Sequence, residues 1–163
     1  MGDVTLFRLA GLAAIAGGLL RAANVFVTGI DPAMLQWDYL VTDVFLLFGL
    51  IGIYLKFRHV AGFAGLAGFA AAAIGLLLVR SSRNLDNYKI AAAVTLAGVG
   101  LLGLTFAVAK GAQRIAGLLL VVALIVGIAG AAMPQFTAPA SMIAALLFGA
   151  GFVVAGVQIL RAA

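Results

Sequence analysis

Residues 4–55 read VTLFRLAGLAAIAGGLLRAANVFVTGIDPAMLQWDYLVTDVFLLFGLIGIYL, two apolar runs separated by Gly29-Ile30-Asp31-Pro32. Arg21 stands near the end of the first run and Asp43 near the start of the second. Opposite charges set this deep in apolar sequence need partners, and their placement decides how the two runs are read. Helices are expected over 4–28 and 37–55. At 1.5 Å rise per residue, Arg21 would lie about 10 Å before the end of the first and Asp43 about 9 Å into the second. A short connection makes them antiparallel neighbours with the charges at matching depth. Arg21, Asn24 and Thr28 share one helical face, and Gln36, Tyr39 and Asp43 share another. Set antiparallel, Arg21 faces Asp43, Asn24 faces Tyr39 and Thr28 faces Gln36. The expectation is a polar seam inside an apolar hairpin.

Composition places the chain among membrane proteins. Hydrophobic residues make up 66% of 163, charged residues 9%, and the mean hydropathy is +1.26, far from ordinary soluble usage. Without Cys or Glu, and with His59 as the single imidazole, no disulfide framework, thiolate nucleophile or metal-ligand set is available. The net charge of +5 falls largely in connections, where it sets orientation. No basic run with interleaved aromatics occurs, so nucleic acid is not an expected partner.

Arg8 followed by 9–20 resembles the core of a secretion signal. Arg21 would occupy the small-residue position before the cut, and the apolar pattern resumes through 25–27, so a retained first helix is expected. Leu6 stands where N-myristoylation wants Ser or Thr.

Four further spans follow, at about 60–79, 90–109, 115–133 and 141–160, each long enough to cross a hydrocarbon core of about 30 Å. Backbone groups in lipid must be satisfied internally, which favours helices. The expectation is an all-α integral membrane protein, a single domain with a compact bundle of six transmembrane helices. With the N-terminus cytoplasmic, Arg8, Lys56, Arg58, Lys110, Arg114 and Arg161 lie inside and Arg80, Arg83 and Lys89 outside, so both termini are expected in the cytoplasm of a plasma (inner) membrane. Pro32, Pro134 and Pro139 read as helix stops in outer connections, and Trp37, Tyr39 and Tyr88 as an interfacial belt.

The chain also echoes itself. Arg8-Leu9-Ala10-Gly11-Leu12, His59-Val60-Ala61-Gly62-Phe63 and Arg114-Ile115-Ala116-Gly117-Leu118 open alternate helices, while Leu46-Leu47-Phe48-Gly49 recurs as Leu146-Leu147-Phe148-Gly149. Three parallel hairpin repeats are therefore expected, against the alternative that Ala, Gly and Leu recur by chance. Positions matching Arg21 are Ala72 and Gly127, and those matching Asp43 are Gly98 and Ile143, so the charges belong to the first hairpin alone. Thr95 is a third polar candidate at similar depth. Recurrent Gly and Ala in the remaining spans suit close helix packing, with a groove for a partner protein as the alternative.

Catalytic chemistry has little to work with. Ser81 and Ser82 have no second His nearby to act as base, His59 reads as a solvated boundary residue, and the Gly triplets lie within apolar helices rather than in a phosphate loop. Arg80 and Arg83 flank a connection that either is solvated or holds a lipid phosphate. Two functions are consistent with this inventory. One is a non-catalytic accessory or scaffold subunit with Arg21 and Asp43 as an internal clasp. The other is binding or transport of a small amphipathic or anionic molecule at an outer-leaflet site formed by Arg21, Asn24, Tyr39 and Asp43, with Thr28, Gln36, Thr95, Arg80 and Arg83 as further contributors. No cofactor is expected. Membrane lipids, other membrane proteins and further copies of the chain are the candidate partners.

Overall fold

The computed structural model describes residues 2–27, 31–81 and 85–162. It is all-helical, with no strand among the described residues. The helices are α1 (Gly2–Ala23), α2 (Pro32–Ser81), α3 (Leu85–Val108), α4 (Gln113–Ala132) and α5 (Thr137–Arg161), with a 3-10 turn at Pro134–Phe136. All five are long and apolar enough to cross a membrane.

The fifty residues of α2 are not one rod. Gly62 has φ 57° and ψ −158°, a conformation outside any helix, and Tyr54 stacks on Phe69 with ring centroids 4.6 Å apart. In a straight helix those residues would be separated by about 22 Å along the axis. The chain therefore reverses at Gly62, and the arms 32–61 and 63–81 lie against each other. The region 56–59, expected to be a connection, is helical up to the reversal. This bears on the expected repeat: Gly11 and Gly117 sit inside helices, whereas the Gly62 matched to them is the turn itself.

Each segment packs on the next, and α5 returns to α1 to close the bundle. Glycines set the approach at most of these seams. In the first, Gly17 lies against Leu46, Gly49 against Ala14, and Gly52 against Ala10. Between the second arm of α2 and α3, Gly68, Ala72 and Gly75 meet Leu102, Gly98 and Thr95; between α3 and α4, Gly103 meets Gly117. Between α1 and α5, Gly11 meets Gly156 and Gly18 meets Gly149. Gly100 also meets Leu124 between α3 and α4, and at each of these seams the paired numbers run in opposite directions, so the neighbours are antiparallel. Where lipid offers no hydrophobic drive between helices, such backbone-to-backbone contact is what dispersion forces need. The interior is filled by Leu46, Leu50, Ile53, Val99, Leu102, Phe106, Leu120, Phe152 and Ile159, all essentially inaccessible.

The ends of the helices correct several expected boundaries. α1 stops at Ala23 rather than 28, and Asn24, Val25 and Phe26 continue in a turn, with the amides of Val25 and Phe26 donating to the carbonyls of Ala22 and Ala23. Arg21 thus stands in the last turn of α1, not two turns inside it. Pro32 is the first residue of α2, and Pro139 lies in the first turn of α5. Both are tolerated there because first-turn amides have no intrahelical acceptor to lose.

Candidate functional site

The polar seam lies where α1 meets the first arm of α2, at the end of the bundle that holds the close of α1 and the start of α2. The packing of Gly17 on Leu46 fixes the register, and one turn further out it sets Arg21 level with Asp43. Both side chains are half-buried, and Asp43 is engaged rather than free.

One hydrogen bond across this seam runs from Asn24 Nδ2 to Thr42 Oγ1, at 3.3 Å. Thr42 in turn donates to the Asp38 carbonyl at 2.9 Å, so one buried hydroxyl ties the turn after α1 to α2. Asn24 therefore meets Thr42 rather than Tyr39. Tyr39 and Gln36 lie on the exposed side of α2. Leu46, Gly49 and Ile53 face α1 and the core, and the same stripe continued one turn back arrives at Thr42. No pattern in the sequence singles out that stripe, because the other faces of this arm carry Val44, Phe45, Phe48 and Ile51, so Thr42 is found only through the packing.

Asp38, which the sequence reading passed over, is half-buried, and its Oδ2 is enclosed without a hydrogen-bond partner. Enclosed acceptors are normally paired, so this oxygen marks a place where a donor would be stabilised.

Thr95 is elsewhere. It is buried on α3 against Gly75, its hydroxyl satisfied by the Ala91 carbonyl at 2.9 Å, and α3 does not touch α1. Thr28 and Arg83 lie outside the described residues, as does the side chain of Arg80. His59 is exposed.

The opposite end carries two ties the sequence reading did not anticipate. Lys56 Nζ donates to the Ala162 carbonyl at 2.8 Å and lies 5.2 Å from the Phe7 ring centroid. A cation there also suits the negative end of the α5 dipole. Gln158 Nε2 donates to the Ala112 carbonyl at 2.5 Å, joining α5 to the connection between α3 and α4.

With this geometry in hand, comparison adds no identity: the chain matches no protein-family model, no curated protein and no solved structure.

Thr42→Val keeps the shape and removes both hydroxyl bonds. It should destabilise the protein by about 1–3 kcal/mol, because the Asn24 amide loses its acceptor in a half-buried place. Thermal unfolding in detergent reads this out. An unchanged midpoint would mean that Asn24 is satisfied by water and that the seam contributes no stability.

Proposed function

We propose that the chain is a non-catalytic module of a membrane complex, an accessory or scaffold subunit, crossing the membrane six times with both termini in the cytoplasm. The reversal at Gly62 supports six crossings, since each arm of α2 is long enough to count as one. The observation that carries the functional reading is the closed apolar interior. Phe106, Phe152, Leu50 and their neighbours fill the axis of the bundle, and the polar seam is tied internally through Asn24 and Thr42. Such an interior suits a structural part better than a conduit. The seam residues Arg21 and Asp43 then hold the first hairpin in register.

The second reading, binding of a small amphipathic molecule at the same end, has one observation in its favour, the enclosed and unpartnered Oδ2 of Asp38. A ligand with a donor headgroup would satisfy it. The pair of substitutions Arg21→Met and Asp43→Leu separates the readings. A clasp predicts that the double variant folds and still joins its complex in mild detergent. Folding with loss of a small molecule that copurifies with the wild-type chain would instead establish the ligand site.

Topology is tested on this Cys-free background by single Cys probes at Gly2, Ser82 and Ala163. The expected outcome is that Ser82→Cys reacts with an impermeant reagent from outside, and the other two only after the membrane is opened. Labelling of Ser82→Cys from the cytoplasmic side alone would reverse the orientation.

A further inference from the structure

The fold sorts charge by end. By their places in the helices, Arg8, Lys56, Arg58, Lys110, Arg114 and Arg161 gather at the end that holds Gly62 and the start of α1, with Asp3 as the acid there. Six basic residues against one acid leave five positive charges, which is the net charge of the whole chain. The other end, with four basic and four acidic residues in sequence, is neutral.

Within the basic end, one junction concentrates cations on elements that carry no carboxylate side chain of their own. The bond from Gln158 to the Ala112 carbonyl brings the last turn of α5 beside the connection between α3 and α4. Lys110 and Arg114 stand two residues either side of Ala112, and Arg161 three residues beyond Gln158. All three are exposed. Residues 87–163 contain no Asp or Glu, so none of α4, α5 and their connections offers a carboxylate side chain. Val108 at the end of α3 and Ile115 and Leu118 on α4 are exposed as well.

We propose that this junction binds the phosphate of an anionic membrane lipid, with Arg114 and Arg161 as bidentate donors, Lys110 as a point charge, and the acyl chains along Val108, Ile115 and Leu118. Guanidinium groups match phosphate oxygens in geometry and charge. A leaflet rich in anionic lipid attracts basic side chains at its surface, and here the exposed apolar residues adjoin the cations as a lipid's tails adjoin its headgroup. The inference rests on the membrane-spanning reading above and names the lipid class that reading leaves open.

The test is native mass spectrometry of the full-length chain in mild detergent, titrated with phosphatidylglycerol, with phosphatidylcholine and with inorganic phosphate. Taking about fivefold per basic side chain near an anionic headgroup, phosphatidylglycerol should be retained over phosphatidylcholine by about tenfold or more at low salt. The preference should collapse in Lys110→Gln/Arg114→Gln/Arg161→Gln and persist in Lys89→Gln at the other end. It should also fade in the wild-type chain as salt shortens the screening length from about 10 Å to about 3 Å, a readout that survives if the triple variant does not fold. Equal retention of the two lipids, a preference that outlives the triple substitution, or displacement of lipid by inorganic phosphate at equal concentration would overturn the assignment. A chain that never enters the membrane fraction would defeat the membrane reading instead.

Discussion

Gly98→Val is expected to destabilise the folded bundle severely. A Cβ at Gly98 would press on the backbone nitrogen of Ala72 and lie 2.7 Å from the carbonyl oxygen of Gly68, and both obstacles are main chain. A flexible side chain can swing aside, but here two helices would have to separate. The same seam continues at Gly68, where a Cβ would meet the Leu102 nitrogen at 2.6 Å, and at Gly75, where it would meet the Thr95 backbone. Parting them at Gly98 therefore loosens three contacts at once. Inserting bulk into a packed interior costs about 1–3 kcal/mol and occasionally more, and this site belongs at the upper end because backbone cannot repack. Loss of monodisperse protein on size exclusion, or a collapsed thermal midpoint, is the expected result. Leu104→Val, on the exposed side of the same helix, should stay within about 0.5 kcal/mol of wild type. If Gly98→Val melts like the parent, α2 and α3 do not meet as described.

Gly62→Val should cost about 1–3 kcal/mol for a different reason. Nothing lies within 4 Å of a Cβ built there, so crowding is not the issue. The cost is in the backbone, because φ 57° with ψ −158° belongs to a region open essentially to glycine alone. Two consequences distinguish this from a packing effect. Gly62→Ala should be damaged almost as much as Gly62→Val, since the first carbon of the side chain already carries the strain. Gly62→Asn should not rescue, because Asn tolerates the left-handed helical region, near ψ +47°, and not this one. Circular dichroism melts of the three variants decide it. Three wild-type midpoints would show that the chain reverses by some other dihedral arrangement.

Much of the architecture is legible before any coordinates. Runs of about twenty apolar residues can satisfy their backbone in lipid only as helices, and the close-spaced Gly and Ala foretell tight seams. The sorting of Lys and Arg toward one end is equally a property of the chain, as is the isolation of Arg21 and Asp43 in the first hairpin. Tertiary structure decided how each helix is rotated about its axis. In a soluble protein the apolar stripe announces the buried face, but here the outward-facing Leu101, Ile125 and Ile128 are as apolar as core-facing Leu102, Leu120 and Ile159, so the pattern carries no direction. The rotation of α2 was settled by Gly49 and Gly52 closing on Ala14 and Ala10. That choice turned Thr42 inward to Asn24 and left Tyr39 at the surface. A reversal near 56–59 is legible in Lys56, Arg58 and His59, which interrupt the apolar run, but its place at Gly62 was not: a single glycine among twenty-one reveals its dihedral angles only once Tyr54 and Phe69 have been brought face to face.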